Sequence, residues 1–110
     1  MHKFILSKDQ YYEAILQLRP KNKEVLDYVL RQLEKRKNIF ISKKVELKKG
    51  VDLYISDKRF TRALGKKLKK SFRGELKLSR KLYGYDRQKS KKIYRLTVLF
   101  RLKNFDETLG

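Results

Sequence analysis

The sequence predicts an α+β domain: a two-layer sandwich in the order strand–helix–strand–strand–helix–strand–strand, with one mostly antiparallel sheet and two helices on one face. Three observations predict it. Apolar residues alternate at period two in the strand segments and recur at helical spacing in two others. Each helical segment falls between strands, so the first six elements make two strand–helix–strand units, the split arrangement of ferredoxin-like folds. Right-handed crossovers then put both helices on the same side of a single sheet.

The first strand covers 12–19, where Ala14, Leu16 and Leu18 share one side and Glu13, Gln17 and Arg19 the other. Pro20 ends it, because proline cannot donate to a central ladder. Asn22 caps the first helix, and Glu24 sits in the first turn, where the dipole favours a carboxylate. Val25, Leu26, Val29, Leu30 and Leu33 recur at helical spacing, so this helix covers 23–37, with Asp27, Arg31, Glu34 and Lys35 outward. Strands at 39–48 and 51–56 form a hairpin through Lys48-Lys49-Gly50, a tight turn with Gly50 in the left-handed position. Val51, Leu53 and Ile55 share a side.

Ser56 or Asp57 caps the second helix, 58–73. Its apolar stripe is Phe60, Ala63, Leu64, Leu68 and Phe72, and Gly74 stops it. The fourth strand covers 75–83, with Leu76 and Leu78 inward, and a polar, basic loop follows at 84–91. The fifth strand, 92–102, sets Tyr94, Leu96, Val98, Phe100 and Leu102 against Arg95, Thr97 and Arg101, and extends the sheet through a hairpin with the fourth. Residues 1–10 read as an N-terminal extension, 11–102 as the single domain, and 103–110 as a linker or cut end.

The 110 residues carry 31 Lys and Arg against 12 Asp and Glu, a formal charge of +19 at pH 7. Solubility of a small domain asks for only about 2–8. Such an excess costs stability by self-repulsion unless a polyanion offsets it. Hydrophobic residues at 40% and aromatics at 12% make the chain too apolar for a disordered basic tail. A thermophile's charged surface would bring Glu along with Lys, and it does not here. Nucleic acid is therefore the first partner class. Without Cys there is no disulfide, no thiolate nucleophile and no Cys-based zinc site. Apolar runs are too short to span a membrane or form a signal peptide, so a cytoplasmic monomer is expected.

The second helix carries Lys58, Arg59, Arg62, Lys66, Lys67, Lys69, Lys70 and Arg73 and no acid. Solvated helices usually mix signs, so this arc is a candidate phosphate-binding surface. The loop at 84–91 and its flank add Tyr85, which can stack on an unpaired base, Arg87, which can fork onto phosphate, and Gln88, Lys89, Lys91 and Lys92. The bland alternative is an ordinary hairpin loop in which Asp86 makes its own turn. Lys43, Lys44, Lys48 and Lys49 cluster on the first hairpin and read as protection of an edge strand. The tyrosines other than Tyr85 read as half-buried packing residues. Catalysis is not expected. His2 is the one His, no Gly-rich phosphate loop is present, and Asp57 and Asp86 are better explained as cap and turn than, with Asp52, as metal ligands.

The segments YYEAILQLR at 11–19, DKRFTRALGKKL at 57–68 and GYDRQKSKKIYRLTVL at 84–99 give the chain a family likeness over about residues 11–102. It resembles the archaeal branch of the nonsense-mediated-decay-three family, whose eukaryotic members are adaptors for nuclear export of the large ribosomal subunit. The resemblance implies a ribosome-assembly factor without enzymatic activity, contacting rRNA and ribosomal proteins of the large subunit. Paired-Cys zinc modules precede such a domain in that family. This Cys-free chain departs from the pattern and looks like an excised middle domain that needs no cofactor itself. A stand-alone RNA-binding domain and a basic protein-interaction module are the alternatives.

Overall fold

The computed structural model describes residues 11–103, and the predicted extension at 1–10 and nearly all of the predicted tail lie outside them. Seven elements follow one another: β1 (Ala14–Arg19), α1 (Lys23–Glu34), β2 (Ile41–Leu47), β3 (Gly50–Ile55), α2 (Lys58–Ser71), β4 (Gly74–Asp86) and β5 (Lys91–Leu102). The strands make one sheet in the order β2-β3-β1-β5-β4, antiparallel except where β1 runs parallel to β5. This is the predicted α+β sandwich.

Its core follows from alternation. Ala14, Leu16 and Leu18 of β1 lie level with Ile55, Leu53 and Val51 of β3 and with Leu96, Val98 and Phe100 of β5. All nine are buried, and they join Val25, Val29 and Leu33 of α1 and Phe60, Leu64 and Leu68 of α2 in one cluster. Both helices therefore cover one face, and the other face is left without a layer among the described residues.

β5 does not extend the sheet outward. It enters between β1 and β4, so the ferredoxin-like order holds with one strand inserted. The reason lies in the inward positions. β5 offers Leu96, Val98 and Phe100, all buried, and suits a central place. β4 presents Leu76, Leu78 and Arg80 opposite them, a row that belongs at an edge: Leu78 faces the helix side as predicted but stays exposed there.

Local signals settle most boundaries. The Asn22 side chain accepts from the Val25 N–H and the Asp57 side chain from the Phe60 N–H, so each caps its helix. α1 stops at Glu34 rather than 37, because beyond Leu33 there is no apolar anchor, and Arg36 turns to lie over the Phe60 ring. α2 buries Thr61 and Gly65 instead of Ala63, which is exposed. A Cβ at Gly65 would stand 2.8 Å from Val98 Cγ1, so glycine there lets α2 approach β5 closely. Among the described residues no glycine has positive φ. Gly50 opens β3 rather than sitting left-handed in the turn, and Gly74 opens β4 rather than capping α2, which ends at an extended Phe72.

Candidate nucleic-acid interface

α2 positions its cations by helical geometry. With Phe60, Thr61, Leu64, Gly65 and Leu68 held against the sheet, Lys58, Arg59, Lys66, Lys67, Lys69 and Lys70 are exposed and Arg62 is half-buried. Among the described residues no carboxylate lies within ion-pair distance of these seven. The end of the helix is closed differently. Asp57 accepts from Phe60 N–H at 2.8 Å, Thr61 donates its hydroxyl to the Asp57 carbonyl, and Glu13 accepts from Lys58 N–H at 2.9 Å. Two carboxylates thus occupy the positive end of the helix, which leaves the side arc as its unneutralised cationic surface among the described residues.

Glu13 also holds Tyr11, whose hydroxyl donates to it at 2.6 Å. That bond, helped by burial and the Glu13 charge, pushes the Tyr11 hydroxyl up to about 12. A raised folded value favours the neutral phenol. Its contribution is complete below pH about 10, the ordinary tyrosine value, and is lost as pH rises toward 12. Tyr11→Phe is expected to delete one step near pH 12 from a tyrosinate absorbance titration; an unchanged titration would detach Tyr11 from Glu13.

The second cluster is not a loop. β4 continues to Asp86, so Tyr85 lies in a strand opposite Lys92, and only residues 87–90 turn. Asp86 Oδ1 accepts from the N–H groups of Gln88 and Lys89, and Ser90 adopts φ 51°. Leu96 lies level with Ala14, the first residue of β1. Residues 91–95 and their β4 partners therefore project beyond the sheet body by about 16 Å, in a molecule 55 Å long. The projecting part carries Leu82, Tyr83, Tyr85 and Ile93 as exposed large side chains, with Arg87, Lys89, Lys91 and Lys92 around its tip.

These two predicted clusters do not converge. Lys58 opens α2 beside Glu13, at the end from which the hairpin projects. Lys69 and Lys70 close it at the opposite end, roughly 20 Å along the helix axis. Arg73 follows α2 there, and its carbonyl accepts from Lys103 N–H. The first-hairpin lysines lie on or beside the edge strand β2. Lys44 pairs with Glu46 at 3.3 Å and holds that carboxyl below its ordinary value. Asp52 is paired as well, with Arg19 at 2.8 Å. Among the described residues no group of three or more His, Cys, Asp or Glu is placed to hold a metal. No helix there is long and apolar enough to cross a membrane.

The uncovered sheet face holds residues that periodicity alone assigns to packing. Arg95 stands over the Tyr12 ring at 3.8 Å and over the Tyr83 ring at 3.4 Å. Tyr12 meets Tyr54 edge-on at 4.8 Å, and Lys43 lies over Tyr54 at 5.4 Å. Burial pushes the Tyr54 hydroxyl above its ordinary value. The available signal was parity: Tyr54 and Arg95 occupy positions opposite in phase to the buried residues of β3 and β5.

A family model described as NMD3, second domain, matches residues 11–102. No curated protein matches the chain.

Proposed function

Because the chain belongs to the NMD3 family, with that family's second domain over residues 11–102, we propose that it is a non-catalytic module that binds the large ribosomal subunit by meeting rRNA phosphates with the side arc of α2. The family is one of ribosome-associated adaptors. The observation that carries the finer reading is the arc itself: seven cations, no carboxylate within pairing distance among the described residues, and a helix end already closed by Glu13 and Asp57. The tip residues Arg87, Lys89, Lys91 and Lys92 form a second phosphate contact on an arm that reaches away from the body. Tyr85 stands beside them, opposite Lys92. Ribosomal proteins adjoining that rRNA complete the surface.

Phosphate contacts release counterions, so affinity falls with salt. With about six contacts, the slope of log affinity against log salt is expected near −4 to −5. Sedimentation of the chain with purified large subunits over a salt series measures it, and a flat series overturns the proposal. A basic module that docks an acidic protein would instead bind such a partner in isolation and ignore competing rRNA fragments.

A further inference from the structure

Sheet faces in two-layer folds are covered, solvated by short polar residues, or used. Among the described residues the second face here is neither covered nor solvated by short polar residues. It carries Ile15, Gln17, Tyr54, Thr97 and Leu99 across its middle, all half-buried by their neighbours, and a row of stacked aromatic and cationic groups at the hairpin end. The row is built in register. Arg95 lies directly opposite Lys81 on β4, and Tyr83 falls at the irregularity between Leu82 and Gly84. That irregularity adds a residue to β4 and brings the Tyr83 ring onto the Arg95 guanidinium.

Arg95 is itself tied down. Its Nε donates to the Tyr12 carbonyl at 3.1 Å while its guanidinium carbon stands over both the Tyr12 and the Tyr83 rings. Tyr54, Tyr12, Arg95 and Tyr83 thus form one packed row, edge-on between the first two and with Arg95 over the rings of Tyr12 and Tyr83, that ends on a tyrosine 58% exposed. Around it the same face presents Lys43, Lys77, Lys81 and Arg101, with Glu75 opposite Arg101 and Asp52 already paired to Arg19. The surroundings are cationic and the end of the stack is a flat ring.

We propose that this face takes a single-stranded RNA segment, one unpaired base stacking on the outer side of Tyr83 while Lys81 and Lys43 meet its backbone. Every base has a π-face, and stacking on a held ring needs no ordering of the protein on binding. The inference rests on RNA being the polyanion, but it names a different surface, and a different state of the RNA, from the phosphate arc of α2.

The test uses the whole chain, a single-stranded homopolymer RNA oligonucleotide, and an RNA duplex of equal length. Anisotropy of a dye on the RNA measures binding in parent and variants alike, and because the chain has seven Tyr and no Trp, the part of the tyrosine quenching that is lost in Tyr83→Phe reports stacking on Tyr83. Tyr83→Ala and Tyr83→Leu are expected to weaken single-strand binding about tenfold, Tyr83→Phe to restore it, and duplex binding to stay unchanged in all three. Circular dichroism should match the parent and melting should fall by only a few degrees, because Tyr83 lies exposed on the projecting hairpin and its removal costs one exposed cation–π contact with Arg95. The inference is overturned by absence of single-strand binding, by equal affinity of parent and Tyr83→Ala, or by Tyr83→Leu binding as the parent does. It is also overturned if Tyr83→Ala weakens binding to intact subunits but not to RNA, which would assign the face to a ribosomal protein. The phosphate proposal stands or falls separately, on the salt series and on α2.

Discussion

Replacing Arg59, Lys66, Lys69 and Lys70 by Glu is expected to reduce large-subunit binding by more than about a hundredfold at moderate salt and to flatten the salt slope by about 3–4. All four side chains are exposed on α2, and none has an ion-pair partner among the described residues. Their removal therefore breaks no internal contact. Two small effects on stability oppose each other. Glu at positions 69 and 70 meets the negative end of the helix, which costs about 0.3–1 kcal/mol per site. Lys66 and Lys70 are like charges at i,i+4, and reversal there relieves none of that repulsion, but it does lower the net charge of the whole domain. The variant should melt within a few degrees of the parent. A matched control reverses Lys35, Lys37, Lys48 and Lys49, which are exposed and lie outside α2. It makes the same change in net charge. If both variants lose binding equally, only the overall charge matters and α2 has no special role; if neither does, the phosphate arc is wrong.

The fold was legible where a pattern is repeated and illegible where one residue decides. Nine inward residues of β1, β3 and β5 are the ones alternation picks out, and Asn22 and Asp57 cap where their chemistry says they should. The position of β5 was not read, although the inward row of β4 contains Arg80 and that of β5 does not. Edge or centre is a comparison between strands, and no single strand states it. The glycines misled for a related reason. Gly50 and Gly74 fit turn and cap grammar, yet both are glycine because a neighbouring backbone comes close, a fact about strands distant in sequence. Tyr85 reads as a loop residue because 84–91 is polar and basic, whereas β4 runs on through it beside an irregularity. The basic arc of α2 needed only helical spacing. The Tyr12–Arg95–Tyr83 stack joins residues from three separate segments, and only the sheet brings them together.

Gly50→Ala is expected to lower stability by about 3 kcal/mol or more, whereas Gly84→Ala should change it by no more than about 1 kcal/mol and in the stabilising direction. The chemical change is the same, and neither glycine has positive φ, so backbone freedom does not separate them. Space does. A Cβ at Gly50 would stand 2.0 Å from the Leu18 carbonyl oxygen and 2.8 Å from Arg19 Cδ and Nη1. Leu18 lies in β1, bonded on both sides to β3 and β5, so its carbonyl cannot withdraw without opening the centre of the sheet. Arg19 can swing away, but its guanidinium then leaves Asp52, whose side chain is only 14% exposed. A largely buried carboxylate without its partner costs about 1–3 kcal/mol beyond the steric clash. At Gly84 a Cβ meets nothing within 4 Å, and the gain comes from fewer states in the unfolded chain. For a domain this size the Gly50 variant should melt about 10–20 °C lower, a large fraction of a total stability of about 5–15 kcal/mol. Below its melting point it should still bind large subunits normally, because Gly50 is not part of α2 or of the β4–β5 hairpin. Equal melting of the two variants would mean that β1 and β3 do not approach as closely at Leu18 as the structure has them.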